Sequence, residues 1–181
     1  MKNIDIFKGK RIHLCPVVKD DAPHLARWTL DGAYLRHYDT AFAMPRSAAY
    51  FEKLIEEDES AQDTTLFAIR TLDDDKLIGT ISLHTIEWNN KTCILSIGIG
   101  EADYRNGGYG TEALRLILAF AFFELNMHRV GLEVISYNYM AKRAYEKVGF
   151  KVEGTIRECV DRDGEKYDKI LMGVLRDELL L

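Results

Sequence analysis

The chain has 181 residues, of which 47% are hydrophobic and 29% charged, and its formal net charge is −5. These values predict a single soluble globular domain over residues 1–181. The acidic balance argues against nucleic acid as the main partner; it is compatible with a cationic substrate such as an amine, or simply with a soluble surface. The longest apolar run, residues 116–123, is too short to cross a membrane, and the N-terminal residues lack a signal-peptide pattern, so we expect a cytoplasmic protein.

Hydrophobic periodicity predicts alternating strands and helices. The predicted strands, in chain order, cover residues 10–17, 64–71, 76–87, 92–100, 129–136, 150–159 and 166–175. The predicted helices run from 20 to about 30, from 47 to about 59, from 111 to 125 and from 138 to 148, with an irregular aromatic segment at 33–44. This order indicates an α/β (α+β) fold with a mixed sheet of about seven strands and helices on both faces.

Glycines are concentrated where the strand at 92–100 gives way to the helix at 111–125. The run Arg105-Asn-Gly-Gly-Tyr-Gly110 places backbone N–H groups at the positive end of the helix dipole, where a phosphate binds. A P-loop would continue with Lys-Ser/Thr, whereas this run continues with Thr111-Glu112. The dinucleotide fingerprint G-x-G-x-x-G is absent, which disfavours a nucleotide-binding Rossmann protein.

The turn is followed by Asn138 and by Tyr145-Glu-Lys-Val-Gly-Phe150. In this order and spacing, Arg105-x-x-Gly-x-Gly110 resembles the GNAT superfamily of N-acetyltransferases over essentially the whole chain. The resemblance implies the GNAT fold, with a mostly antiparallel sheet, and acetyl-CoA as co-substrate. The segments around 110–113, 162–164 and 171–173 most resemble ribosomal-protein N-terminal acetyltransferases and their polyamine-acetylating relatives.

The resemblance implies that one strand, the glycine turn and one asparagine bind acetyl-CoA. The predicted contacts are Ile97, Gly98, Ile99, Arg105, Asn106, Gly107, Gly108, Tyr109, Gly110, Thr111 and Asn138. For Arg105 we expect the backbone N–H to bind, with the side chain a surface cation. Asn138 is also expected to cap a helix. The basic residues 142, 143 and 147 are interpreted as a solvated face, with the 3′-phosphate of CoA as the alternative.

Period two puts Ser96, Gly98 and Gly100 on one face of the strand at 92–100. Two interpretations remain for this face, which carries little side-chain bulk. It is either a slot for the pantetheine arm, which the resemblance favours because this strand separates from its neighbour in the superfamily, or a site of close helix packing over the glycines.

Tyr145 lies on the apolar stripe of the helix at 138–148 and therefore faces the sheet. It is either a core tyrosine or, as the resemblance implies, the donor of a proton to the departing CoA thiolate. Glu133 is the first candidate for the base that deprotonates the amine. We expect it on a buried strand face with a raised pKa. A structural pairing with lysine or arginine and a water relay are the alternatives, and Glu112 is a weaker candidate.

Three cysteines, at positions 15, 93 and 159, are scattered and lack C-x-x-C spacing. We expect reduced, buried thiols and no disulfide framework or metal site. None of them has the sequence setting of a nucleophile, so direct attack of the amine in a ternary complex is favoured over a ping-pong mechanism.

The acceptor is the least determined part of the prediction. The resemblance implies that residues 20–60 and 153–169 build its site. For Trp28, Tyr34, Tyr38 and Phe42 a core position is favoured over a pocket wall, and His84 is interpreted as structural. The lead hypothesis is an acetyltransferase for a protein α-amino group. The alternatives are a polyamine or other small amine, or a binding module that senses acyl-CoA without turnover. A homodimer is compatible with the resemblance.

Overall fold

The computed structural model describes residues 5–180, so residues 1–4, on which the signal-peptide expectation partly rests, lie outside it. Its strands are β1 Ile12–Pro16, β2 Thr65–Thr71, β3 Leu77–Glu87, β4 Thr92–Ile99, β5 Arg129–Ile135, β6 Lys151–Arg162 and β7 Glu165–Leu175. Its helices are α1 Ala22–Trp28, α2 Gly32–Tyr38, α3 Ala48–Ser60, α4 Tyr109–Ala119 and α5 Tyr139–Glu146. No helix in the described range has the length and apolarity needed to cross a membrane.

The seven strands form one sheet in the order β1-β2-β3-β4-β5-β7-β6. Every neighbouring pair is antiparallel except β4 and β5, which run parallel. The predicted mixed, mostly antiparallel sheet is therefore confirmed. The parallel pair is short: it joins Thr92–Ile94 to Arg129–Gly131 and then stops. From residue 95 to residue 99, β4 has a free edge on this side, and a cleft opens between the two strands.

Two apolar clusters cover the two faces of the sheet. Because successive strand residues point to opposite faces, the neighbours Ala68 and Ile69 belong to different clusters. The larger cluster contains the apolar stripe of α4 and buries Leu114, Ile117 and Leu118. The smaller cluster is built from α1 and α3 and buries Trp28. The predicted helices on both faces follow from this division.

Residues 33–44 are predicted to be irregular, and this prediction is wrong for the first half of the segment, where α2 lies. Asp31 and Gly32 follow the predicted helix at 20–30 and have the residue types of a helix breaker. Asp31 is instead the N-cap of α2, since its carboxylate accepts a hydrogen bond from the Tyr34 N–H at 3.0 Å. The same residues can end one helix and begin the next, and a seven-residue helix has too few turns to show a clear period.

The predicted helix at 111–125 begins two residues earlier and ends its α-helical part at Ala119. A π-helical turn, Phe120–Glu124, continues it. The expectation that all three cysteines are buried is also incorrect. Cys93 is buried and Cys15 partly so, but Cys159 is exposed on β6.

Candidate active site

A cavity of about 1110 Å³ occupies the cleft where β4 and β5 separate. Its walls come from β4, the glycine turn, the end of β5, α5 and α2. The cavity therefore brings together three segments that the sequence predicts for acetyl-CoA and both predicted catalytic residues, Glu133 and Tyr145.

The turn between β4 and α4 presents a row of backbone N–H groups. Within residues 5–180, no N–H from position 106 to position 111 donates a hydrogen bond to a backbone carbonyl, and the first helical bond runs from the Glu112 N–H to the Gly108 carbonyl at 3.1 Å. The positive end of the α4 dipole lies at the same place. This arrangement suits an anion such as a diphosphate.

Asn106 and Gly108 give the turn its shape, because their φ angles are 61° and 83°, in the left-handed region. Asparagine tolerates this conformation and glycine adopts it freely. Gly110 has a different role. A Cβ at this position would lie 3.8 Å from Ile99 and 3.9 Å from Ile97, at ordinary contact distance. Protein packing does not require a glycine there, and its absence of a side chain keeps the cavity open.

Arg11 and Glu112 stabilise the glycine turn through contacts with protein atoms. Arg11 donates to the Gly107 carbonyl at 2.9 Å, and its guanidinium lies 4.2 Å from the centre of the Tyr109 ring. Glu112 accepts hydrogen bonds from Arg11 and from the Lys10 N–H. Burial opposes the charge on Glu112, yet these bonds lower its pKa below the usual value. Glu112 is thus a structural anchor, as a glutamate in the first turn suggests.

The expectation for Arg105 is wrong in both parts. Its backbone N–H donates to the Ala102 carbonyl at 3.1 Å and is not free for a ligand. Its side chain is partly buried and makes three bonds: Nε to the Ile99 carbonyl at 3.0 Å, Nη2 to the Gly100 carbonyl at 2.6 Å, and Nη1 to Asp31 Oδ2 at 2.9 Å. Arg105 therefore fixes the position of the turn.

The glycine face of β4 is packed against aromatic side chains. A Cβ at Gly98 would overlap Tyr34 and Tyr38, and one at Gly100 would overlap the ring of Trp28. Close helix packing is therefore the correct interpretation of this face. The predicted separation of β4 from its neighbour is confirmed, but the opening lies along the free edge of β4.

Asn138 caps α5 as predicted: its Oδ1 accepts from the Ala141 N–H at 3.2 Å. Its Nδ2 donates to the His37 carbonyl at 3.1 Å, which ties α5 to the end of α2. Of the three basic residues at positions 142, 143 and 147, Arg143 and Lys147 line the cavity, while Lys142 Nζ lies 3.7 Å from Glu146 Oε1. The basic face of α5 therefore borders the cavity near the turn, in part against the expectation of a purely solvated face.

Tyr145 is 8% exposed and lines the cavity from α5. Burial, and after it the proximity of Tyr38, raises the pKa of its hydroxyl. The hydroxyl forms no hydrogen bond with any residue in the range 5–180. A neutral, unpartnered O–H inside a cavity is available to donate to a ligand atom.

The predicted environment of Glu133 is wrong. Its side chain is 51% exposed, and its carboxylate lies 2.8 Å from Lys169 Nζ on β7. Its neighbours on the same face, Gly131 and Ile135, are buried, but the long glutamate side chain extends into the open cavity. The hydrogen bond with Glu133 raises the pKa of Lys169 and keeps it charged. This contact is the structural pairing with a lysine that the sequence leaves open as the alternative to a base.

The sequence puts Ser96 on the face with the two interpretations, slot or helix packing, and gives His84 a structural role, but it does not predict that the two side chains meet in the cavity. Both line the cavity, and His84 Nε2 lies 3.0 Å from Ser96 Oγ. The one available signal was the period of β3, whose polar Thr80, Ser82 and His84 alternate with buried Ile81 and Leu83. The partner on β4 depends on strand register, which no local pattern specifies.

A model of the acetyltransferase (GNAT) domain matches residues 11–151, which include β4, the turn, Asn138 and Tyr145. The chain belongs to the GNAT family. It is therefore an N-acetyltransferase, and acetyl-CoA is the acyl donor used by its family.

Two relatives of the chain come from Bacillus subtilis (strain 168). YokL, an uncharacterized N-acetyltransferase derived from prophage SPbeta, is 31% identical over 153 residues, which are 84% of each chain. YdaF, provisionally named a ribosomal N-acetyltransferase, is 29% identical over 136 residues, or 74% of each chain. Among solved structures, the spermidine N-acetyltransferase of Vibrio cholerae in complex with CoA and spermine has a TM-score of 0.84 and 20% identity, over 92% of this chain and 96% of that one. At this identity the likeness concerns the fold.

The two segments that the resemblance assigns to the acceptor site, residues 20–60 and 153–169, contact each other through α2 and the β6–β7 hairpin. Arg162 Nη2 donates to the carbonyls of Asp39, Thr40 and Ala41 at 2.9–3.1 Å. Arg36 Nη2 lies 2.6 Å from Asp163 at the hairpin tip.

The core interpretation holds for Trp28, but Tyr34 and Tyr38 line the cavity and Phe42 is 75% exposed, which corrects the expectation for these three.

None of the three cysteines is among the residues that line the cavity. Burial raises the pKa of Cys93 to about 12, against an opposing effect of Arg129, so its thiol stays protonated at neutral pH. A protonated thiol is a poor nucleophile. This finding favours direct attack over a cysteine-linked ping-pong route.

Proposed function

We propose that this chain transfers the acetyl group of acetyl-CoA to the α-amino group of a protein or peptide, by direct attack in a ternary complex. One observation carries the proposal. The free edge of β4 leads directly to the unpaired N–H groups of residues 106–111, so one continuous surface offers main-chain bonds to the pantetheine arm and then to the diphosphate.

The predicted contacts divide along this surface. Ile97, Gly98 and Ile99 offer the strand edge, and Asn106 to Thr111 offer the N–H groups. Arg105 acts by holding the turn, and Asn138 by holding α5 against α2. Arg143 and Lys147 supply positive charge beside the phosphates.

Tyr145 is the proposed proton donor to the CoA thiolate. When the C–S bond breaks, the sulfur gains an electron pair, and an O–H donor at this atom stabilises the charge. Because burial raises its pKa, Tyr145 keeps its proton throughout the neutral range. The same cavity without such a donor would suit a binding module that senses acyl-CoA.

Glu133 remains the predicted acceptor of the amine proton, but its carboxylate is engaged in an ion pair with Lys169, which opposes that role.

The acceptor end favours a single positive charge. Among the described residues, the carboxylates that line the cavity are Asp39 and Glu133, and Glu133 is already paired. A polyamine carries several ammonium groups and needs more carboxylates than this cavity offers. An α-amino group also has a lower pKa, ~8 against ~10 for a lysine-like amine, and loses its proton more readily. The name of YdaF supports a ribosomal protein as one such acceptor.

A thiol-release assay with acetyl-CoA tests this proposal. The acceptors are peptides with free Ser, Ala or Met termini, the same peptides blocked by N-acetylation, spermidine and an aminoglycoside. We expect release with free peptides and none with blocked ones. Faster turnover of spermidine would replace the proposed acceptor, and CoA binding without release by any amine would indicate the binding module.

A further inference from the structure

Three side chains form a hydrogen-bonded chain on the wall of the cavity. His84 Nε2 lies 3.0 Å from Ser96 Oγ, and His84 Nδ1 lies 3.2 Å from Thr85 Oγ1. All three line the cavity. Nothing in the binding of acetyl-CoA or in the role of Tyr145 makes use of them.

The backbone at this point is unusual. The register of β3 against β4 shifts between His84 and Glu87, which is a β-bulge. Thr85, within the bulge, has a φ of 51°, and a β-branched residue rarely adopts the left-handed region. Bulges redirect side chains next to active sites. Here the bulge is where the hydroxyl of Thr85 approaches His84.

These contacts are consistent with one tautomer of His84. With the Nδ1–H donating to Thr85 Oγ1, Nε2 carries a lone pair and accepts the hydroxyl proton of Ser96. Ser96 in turn presents its own oxygen lone pairs to the cavity. A serine and a neutral imidazole in this order can pass a proton inward from the cavity to the histidine.

Ser96 lies on the acceptor side of the cleft. It follows the last paired residue of β4, Ile94, by two positions, and it shares a face with Gly98, against which Tyr34 and Tyr38 of α2 pack. The α2 helix forms the acceptor wall together with the β6–β7 hairpin. The hydroxyl therefore faces the part of the cavity that an acceptor amine would enter.

The charges around His84 favour proton uptake during reaction. Half-burial lowers the pKa of His84 below its usual value of 6.5, and Glu133 on β5 raises it in part, so the imidazole is neutral at pH 7. Glu133 is paired with Lys169 on β7. Once His84 is protonated, the Glu133 carboxylate stabilises the imidazolium.

We propose that Ser96 and His84 together remove the proton of the acceptor ammonium. This rests on the proposed transfer to an amine. The ammonium gives its proton to Ser96 Oγ as Ser96 gives its own to His84 Nε2, which leaves a neutral amine and an imidazolium. The amine then attacks the thioester, the C–S bond breaks, and the thiolate takes a proton from Tyr145. As the amide forms, its nitrogen gives its second proton to the tyrosinate, which restores Tyr145, and solvent later receives the proton from His84.

The test compares His84→Gln and Ser96→Ala with His24→Gln, an exposed histidine on α1. Each relay variant should lower kcat by about 10²-fold, with unchanged affinity for acetyl-CoA by calorimetry. In the wild type, kcat should rise with pH through a midpoint below 6.5, since only neutral His84 accepts a proton. In His84→Gln this midpoint should disappear. His24→Gln should match the wild type.

The double variant His84→Gln/Ser96→Ala separates a relay from two independent structural effects. If both residues serve one step, the double variant is no slower than the slower single variant. Multiplied losses would overturn the proposal, as would a retained midpoint in His84→Gln. An acetyl group found on Ser96 by mass spectrometry would also overturn it, since the serine would then be a nucleophile. Failure of the wild type to acetylate any amine would instead overturn the proposed function.

Discussion

Arg105 Nη1 lies 2.9 Å from Asp31 Oδ2, and this contact joins the glycine turn to the N-cap of α2. Through Arg105, the predicted diphosphate site and the acceptor wall share one side chain. A hydrogen bond from the Tyr34 N–H and, as the next largest effect, one from the Arg105 side chain hold the pKa of Asp31 below its usual value. The contact is therefore complete at neutral pH and is lost only as the pH falls through that lowered pKa.

Arg105→Ala should weaken acetyl-CoA binding although the guanidinium is engaged by protein atoms. Loss of its three hydrogen bonds should lower the free energy of unfolding by about 2 kcal/mol and loosen the turn. Arg105→Lys keeps the charge but not the planar fork, so it should restore little. Calorimetry with acetyl-CoA and denaturant unfolding measure the two effects. Full affinity in a stable Arg105→Ala protein would show that the turn holds its shape without this side chain.

Tyr145→Phe should lower kcat by about 10²-fold or more, since a general acid typically contributes that much. Affinity for acetyl-CoA should stay the same, because the ring and its packing remain. As burial raises the pKa of Tyr145, the wild-type rate should not fall from loss of this proton at any pH up to its usual value of 10.0. Steady-state rates across this pH range provide the check. Equal turnover in the two proteins would remove Tyr145 from the mechanism.

Glu133→Gln should have a smaller effect on kcat than His84→Gln. Glu133 raises the pKa of His84, so its neutralisation should lower that pKa and move the acid limb of the rate profile to lower pH. Lys169→Met, which frees the carboxylate, should move the limb the other way. A pH–rate series on the three proteins measures these shifts. A loss in Glu133→Gln as large as that in His84→Gln would identify Glu133 as the base.

Arg162→Ala should impair the acceptor and spare acetyl-CoA. It removes the bonds that hold the carbonyls of residues 39–41 against the hairpin. The KM for the acceptor should rise about tenfold, which corresponds to ~1.4 kcal/mol. Arg157→Ala, at an exposed position on the same strand, is the matched control and should change neither constant. A rise in the KM for acetyl-CoA alone would contradict this assignment of α2 and the hairpin.

The glycine turn was predictable because its chemistry is local. A helix start, the residues with left-handed backbone angles and the free N–H groups all lie within residues 105–111, so spacing alone specifies them. The sheet followed for a similar reason, since hairpin turns and period two are short-range signals. Asp163 and Gly164, both with positive φ, form the tight turn between β6 and β7. This turn lies between the two strands predicted at 150–159 and 166–175.

The errors concern features that depend on distant parts of the chain. The exposure of Glu133 depends on the cleft beside β5 and on Lys169, which follows it by 36 positions. The contact between His84 and Ser96 depends on the register of β3 and β4 and on the bulge at Thr85. The side chain of Arg105 is partly buried by α2, and the aromatic sequence of this helix gave no helical pattern from which to predict it. None of these follows from a local pattern.

Calorimetry of Gly110→Asp with acetyl-CoA is the most direct test of the diphosphate site. The new side chain should be compatible with the fold, since a Cβ at this position meets only ordinary contacts. Its carboxylate would stand where the phosphates are proposed to bind, so we predict loss of acetyl-CoA binding with an unchanged melting temperature, and a smaller loss in Gly110→Ala. Undiminished affinity in Gly110→Asp would contradict the central claim that the N–H groups of residues 106–111 bind the diphosphate.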